Sequence, residues 1–190
     1  MVKNKNDKRY VRSKRGLEAG YYEEIRSQSG AIGVQARGIY RRAKVHSTTF
    51  MRHYGDLKGM SRSIRLEIKR EYIGAMRKIE KSGGGLRDVT IMTFSFIKKH
   101  EDYFVTAATI NNTLMLEWIG RKIWKRIRKT KYKFGLRRME DAYVYELMGI
   151  LTFWIRREKC DLDKTEQYVK YVMLISQEGM SRLGFLADKE

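Results

Sequence analysis

The absence of proline from a chain of 190 residues is the feature that most narrows its fold. A proline inside a helix removes a hydrogen bond and drives its ring into the preceding turn, so a chain without one is suited to long helices. Periodicity points the same way. After a basic arm over 1–13 (Lys3, Lys5, Lys8, Arg9 and Arg12 against Asp7), a helical pattern begins near Lys14 and places Leu17, Tyr21, Tyr22 and Ile25 on one side. Gly30 and Gly33 break it. Two short helices are expected over 34–43 and 47–54, and a long one over 57–81 carries Met60, Ile64, Ile68, Tyr72, Ile73 and Met76 at helical spacing.

Ser82-Gly83-Gly84-Gly85 is the clearest loop. No strand precedes it and no Gly-Lys-Ser/Thr follows, so it reads as a helix connector rather than a phosphate cradle. Further helices are expected over 86–100, 102–128, 136–158 and 164–182. Asp163 is placed to cap the last of these, with Glu166 three residues on, and Gly179 and Gly184 mark its exit. The reading is an all-α protein.

A formal net charge of +19 speaks to partners more than to fold. A surplus of that size is matched to a polyanion, either nucleic acid or an anionic surface, unless the chain simply carries a lysine-rich exterior. Cys160 is the only cysteine, which excludes an intrachain disulfide and suits a reducing cytoplasm. The charged N-terminus has no apolar run behind it, as a signal peptide requires, and the longest uncharged stretch, 103–116, is too short and polar to span a bilayer.

The specific signal lies in GIYRRAKVHSTTFMRHYGDLKGM, residues 38–60. A helix-turn-helix needs an apolar and a small residue on its first helix, an apolar residue in the turn, and polar side chains on the outer face of its second helix. Ile39 and Ala43 supply the first pair, Val45 fills the turn, and Phe50 packs the second helix inward. Residues 1–60 hold 14 Lys and Arg against 5 Asp and Glu, a local surplus of +9. The bland alternative for this segment is a helical hairpin with a solvated basic face.

Residues Ile39, Ala43, Val45, Thr49, Phe50 and His53 fall on the pattern I-A-x-x-A-G-V-S-x-G-T-F-Y-x-H-F, and the segment resembles the DNA-binding part of the TetR family of transcriptional regulators. Tyr54 stands for the family's final Phe. Elsewhere Tyr40 replaces a small Ala, Lys44 the turn Gly, His46 the capping Ser, Thr48 a Gly and Met51 a Tyr, while Leu57 stands where the family has Lys, with Lys58 next to it. The resemblance implies a helix-turn-helix domain over 14–60 and a helical ligand-binding and dimerisation domain over 61–190. DNA-binding candidates are Lys14, Arg15, Lys44, His46, Ser47, Thr48, Thr49, Arg52, His53 and Lys58, with double-stranded DNA as partner.

The C-terminal part resembles the family over 94–116 and again over 143–179, where its last two helices form a homodimer. Tyr143, Leu147, Ile150 and Trp154, then Tyr168, Val172 and Ile175, are the expected dimer stripes, although each would equally serve as internal core. The resemblance also implies a small-molecule effector bound among Phe94, Phe104, Met115, Trp118, Trp124 and Met148, a set that plain core packing would explain as well. Residues 121–138 hold ten basic residues and no acid, with Trp124, Ile127, Tyr132 and Phe134 interleaved. That segment reads as a second polyanion surface, a membrane-facing patch, the mouth of a pocket for an acidic effector, or a solvated helix end.

Nothing in the sequence argues for catalysis. His46, His53 and His100 make no metal set, neither HExxH nor CxxC is present, and no G-x-S-x-G elbow occurs. The expectation is a cytoplasmic, non-enzymatic DNA-binding regulator, a homodimeric repressor released by a small-molecule effector, with no cofactor or metal. The alternative is a TetR-like interaction protein that binds nucleic acid non-specifically or binds a protein partner.

Overall fold

The computed structural model describes residues 7–28, 33–129 and 137–181, with side chains at all of them except 127–129, 137–139 and 177–181. Every regular element among these residues is helical: α1 (Lys8–Ser27), α2 (Ala36–Arg42), α3 (Ser47–Tyr54), α4 (Leu57–Lys81), α5 (Leu86–Lys99), α6 (Glu101–Thr109), α7 (Leu114–Lys129), α8 (Arg137–Arg157) and α9 (Thr165–Ser181). A 3-10 turn, Leu162–Lys164, precedes α9. The chain divides into two compact units. One runs to Glu71 and takes in Thr109–Asn111, and the other holds the rest. The division therefore falls inside α4, later than the boundary after residue 60 that the sequence suggests.

The larger departures from the sequence reading each have a local reason. The first helix starts at Lys8 rather than Lys14, because the Asp7 carboxylate accepts from the Arg9 amide at 2.8 Å and caps it. Half of the expected arm is thus helical, and residues 1–6 lie outside the described ones. The single helix expected over 102–128 is broken between Thr109 and Leu114. There Asn111 takes a left-handed φ of 54°, which Asn tolerates better than most side chains, and the Asn112 amide donates to Ala107 O at 2.8 Å. Before α9, Asp161 rather than Asp163 does the capping, accepting from the Asp163 amide at 3.0 Å. Helix α9 runs on through Gly179, and Gly184 lies outside the described residues.

In the first unit Leu17 and Ile25 of α1, Ile39 of α2, Phe50 of α3 and Met60, Ile64 and Ile68 of α4 are buried. These positions recur at helical spacing, so one face of each helix goes inward and leaves the charged residues outside. The second unit is centred on aromatic side chains. Phe94 and Trp154 meet edge to face at 4.8 Å, and Tyr72 meets Phe96 at 5.1 Å in the same manner. Such pairs add about 0.5–1.5 kcal/mol each beyond the area they bury. The Tyr72 hydroxyl is satisfied by Thr93 Oγ1 at 2.9 Å, which in turn donates to Val89 O. Burial therefore raises the Tyr72 pKa while leaving its hydrogen bond intact.

Candidate nucleic-acid interface

Helices α2 and α3 are joined by a turn whose hydrogen bonds explain its shape. The Lys44 amide donates to Arg41 O at 3.1 Å and the Val45 amide to Tyr40 O at 3.0 Å. This nested pair closes the end of α2 as a Schellman motif, and it requires a left-handed residue at position 44. Lys44 has φ 52°. The residue that stands in place of the family's Gly is therefore held in the conformation that Gly would adopt freely. His46 follows as the cap of α3, its Nδ1 accepting from the Thr48 amide at 3.3 Å and lying 2.9 Å from Thr48 Oγ1.

The pair is fixed to α1 by close approach and by buried charge. A Cβ on Gly20 would lie 2.8 Å from Ile39 O, and one on Gly38 would lie 2.3 Å from the Glu24 carboxyl carbon. A hydrogen at Gly20 lets the α1 and α2 backbones approach so closely, and one at Gly38 leaves room for the Glu24 carboxylate. Over Gly38, buried Glu24 accepts from Arg42 Nε at 2.8 Å, while Arg42 also donates to Ser27 Oγ at 2.9 Å. The far end of α3 is held by Tyr54, whose hydroxyl donates to Glu18 at 3.0 Å. Lys14 lies between Glu67, at 2.5 Å, and Glu18, at 3.6 Å.

These contacts set the protonation of the cluster. Burial raises the Glu18 carboxyl above its ordinary value, opposed by Lys14 and by the Tyr54 hydrogen bond. Burial alone would lower the pKa of Lys14, but its hydrogen bond to Glu67 and the charges of Glu18 and Glu67 raise it. Tyr54 is shifted far upward, by burial first and the Glu18 charge second, and stays a donor at any working pH.

The expected DNA-binding residues separate into two groups. Arg15, Lys44, His46, Thr48, Arg52 and Lys58 are exposed, whereas Ser47 and Thr49 are half-buried at the start of α3. Lys14 and His53 are turned to other work. Lys14 is engaged by two carboxylates. The His53 ring packs 4.3 Å from Tyr10, with Nε2 2.8 Å from Ser13 Oγ, so it faces α1 and helps to hold α3. Met51, which stands where the TetR pattern has Tyr, is 60% exposed on the outer face of α3. The sequence reading does not include Gly20 and Glu24, although a Gly inside a helical pattern is itself a signal of close backbone approach.

In the second unit the expected effector residues do not share one space. Phe94, Phe104, Met115 and Trp124 are buried core. Trp118 is half-buried, 5.7 Å from Tyr72, with Lys122 Nζ 5.5 Å from its ring centre. Met148 lines an open groove on α8 with Tyr145, Gly149, Thr152, Phe153, Arg156 and Arg157, which contains none of the other five. The expected dimer stripes are likewise turned inward. Tyr143, Leu147, Trp154, Tyr168 and Val172 are buried within the single chain, and Ile150 and Ile175 are half-buried. Exposed apolar surface lies on the other side: Tyr145 at 68% and Phe153 at 52% on α8, Tyr171 at 56% and Leu174 at 47% on α9. The Phe153 and Tyr171 rings both sit 6.4 Å from Tyr168, so the two helices share this face.

The basic segment is partly neutralised by its neighbours. Arg121 bonds to Glu117, Glu140 and Asp141 at 3.0–3.2 Å, and Arg126 pairs with Glu80 at 3.1 Å and donates to Gly84 O. Tyr132 and Phe134 lie outside the described residues, and so does the side chain of Ile127.

Among the described residues no three His, Cys, Asp or Glu side chains are grouped to hold a metal ion, and no helix is long and apolar enough to cross a membrane. Set against family models, curated proteins and solved structures, the chain matches none.

Proposed function

We propose that this chain is a DNA-binding transcriptional regulator of the TetR kind, a repressor that acts by occupying its operator, with α3 as the element that enters the major groove. The observation that carries the reading is the α2–α3 turn. A lysine is held left-handed there by a Schellman pair, so that α3 presents Thr48 and Arg52 outward while Phe50 anchors it inward. Arg52 suits guanine edges and Thr48 suits either a base or a phosphate. Arg15, Lys44 and Lys58 supply charge for the backbone on either side. A reading head of this size binds best as a symmetric pair, and the exposed Tyr145, Phe153, Tyr171 and Leu174 face supports a homodimer through α8 and α9.

The test compares Thr48→Ala/Arg52→Ala with the unaltered chain on a duplex enriched from a random pool and on a scrambled duplex of equal composition. Loss of the enriched duplex by about tenfold or more, with the scrambled one little changed, is expected. Equal loss on both would leave only charge-driven binding.

The second reading, an interaction protein with a helix-turn-helix frame, is favoured by Met51 alone, whose 60% exposure puts an apolar side chain on the face that would meet DNA. Met51→Tyr separates the two. It strengthens duplex binding on the first reading, and on the second it changes nothing there.

A further inference from the structure

Beyond the reading head, α4 carries its own column of positive charge. Lys58, Arg62 and Arg65 are exposed and recur at spacings of four and three residues, and Lys69 continues the column at half-burial. At about 100° per residue these four positions fall within a sector of roughly 60°, rising on the order of 16 Å along the helix. No acid interrupts the column. Glu67 and Glu71, the acids of α4 before the division between the two units, lie on the opposite side, and Glu67 is committed to Lys14. Asp56 caps the helix, accepting from the Gly59 amide at 2.6 Å. The Arg65 Nε donates to Ser61 O at 3.3 Å within its own helix, and Lys58, Ser61, Arg62 and Arg65 line one concave surface, with Asp56 the single acid at its edge. Buried Met60, Ile64 and Ile68 lie on the side of α4 that adjoins Glu67 and Glu71, away from the column, so the column is not a by-product of core packing.

A row of cations at steps of roughly 4.5–6 Å, with Asp56 at its edge engaged by the Gly59 amide, is complementary to a line of phosphates. We infer that Lys58, Arg62 and Arg65 form a phosphate track on α4 that holds duplex backbone outside the bases met by α3, adding affinity and length of footprint without adding sequence preference. This rests on the DNA-binding reading and extends it from Lys58 to Arg62 and Arg65, which the helix-turn-helix pattern does not include.

The test is a salt titration of binding to a random-sequence duplex of about 30 base pairs between about 50 and 200 mM salt, for the full chain and two double variants. Arg62→Gln/Arg65→Gln removes two charges from the track. Lys78→Gln/Lys170→Gln removes two exposed charges from the other unit and serves as the control. Circular dichroism and the thermal midpoint establish that all three are folded.

Each phosphate contact contributes about 0.9 to the slope of log K against log salt. The track variant is expected to lose roughly 1.8 from that slope and on the order of tenfold in affinity, with the control unchanged. An unchanged slope in the track variant overturns the track and leaves the DNA reading standing. An equal loss in the control overturns it too, because net charge alone would then be responsible. If the unaltered chain does not bind duplex at all, both readings fall. Capture by phosphatidylserine-rich vesicles that only the track variant loses, with duplex binding kept, assigns the column to a membrane surface instead.

Discussion

The α2–α3 head and the α8–α9 pair are both two helices joined through left-handed, non-glycine residues, yet they present opposite surfaces. In the head, Lys44 makes the turn, Ile39 and Phe50 go inward, and the outer face carries Thr48 and Arg52 with Met51 as its one apolar side chain. In the other pair, Lys159 and Cys160 make the turn at φ 50° and 56°, and Trp154 ties it by donating to Asp161 O at 3.0 Å. There both faces are apolar: Trp154, Leu147 and Val172 inside, Tyr145, Phe153 and Tyr171 outside. A polar outer face fits a polar groove, whereas an apolar one fits another protein surface. The lesson is that the inner side of a helix pair establishes a fold, and the outer side says what it is for.

The largest expected effect separates the two faces of α8. Trp154→Ala should cost about 3–5 kcal/mol in urea unfolding, since it empties a fully buried site and leaves Phe94 without its edge-on partner. Phe153→Ser, one residue away and half-exposed, should shift monomer stability by no more than about 0.5 kcal/mol but abolish the proposed homodimer in sedimentation equilibrium. A large stability loss for Phe153→Ser would show that face to be core after all.

Next comes the crossing of α1 and α2. Gly20→Ala drives a methyl group toward the backbone oxygen of Ile39, which cannot swing aside as a side chain would, and should cost about 1–3 kcal/mol. Thermal unfolding reads this directly, and a neutral result would mean that the helices slide apart easily.

Smaller still is the turn itself. Lys44→Gly relieves a left-handed lysine and should raise stability by about 0.5–1 kcal/mol, with some weakening of DNA affinity from the lost charge. Destabilisation would mean that the Lys44 side chain makes contacts worth more than its strain.

The smallest effect is in pH, and its sign differs between the two regions. Glu18, behind the head, has its folded pKa raised above 4.5, so the folded state keeps a proton that the unfolded chain has released. Its contribution is present below pH 4.5 and is lost as pH rises through the folded value. Glu158, beside α9, is held below 4.5, first by its hydrogen bond from Lys164. That contribution is present above pH 4.5 and is lost as pH falls through the lowered value. In chemical unfolding across this range, Glu18→Gln should remove the falling component and Glu158→Gln the rising one; the same change of slope in both would contradict the assignment.

How far the sequence carried these conclusions differs by region. Ile39, Ala43, Val45 and Phe50 are legible because they recur within a short motif whose polar partners are unambiguous. The Schellman turn was foreshadowed by a substitution at a glycine position. Contacts such as Glu24 to Arg42 and Glu18 to Tyr54 are not legible, because they join residues 18 and 36 positions apart that look like ordinary surface charge and a motif aromatic. On α8 periodicity fails for a different reason. Tyr143, Leu147 and Trp154 make one apolar stripe, while Tyr145, Met148 and Phe153 put further apolar side chains around the rest of the helix, and only the packing of α7 and α9 decides which are inside. The contacts of His53 are not legible either, because its position in the motif suggests the groove while its ring is held by Ser13 and Tyr10, 40 and 43 residues earlier.

The central claim is that the outer face of α3 reads duplex DNA, two copies at a time. Selection of bound sequences from random duplex DNA at physiological salt tests it most directly. The account predicts an enriched inverted repeat whose half-sites are centred about one helical turn apart, roughly 10–10.5 base pairs, or a multiple of that. A bound pool with no recurrent sequence beyond that of the input would contradict it.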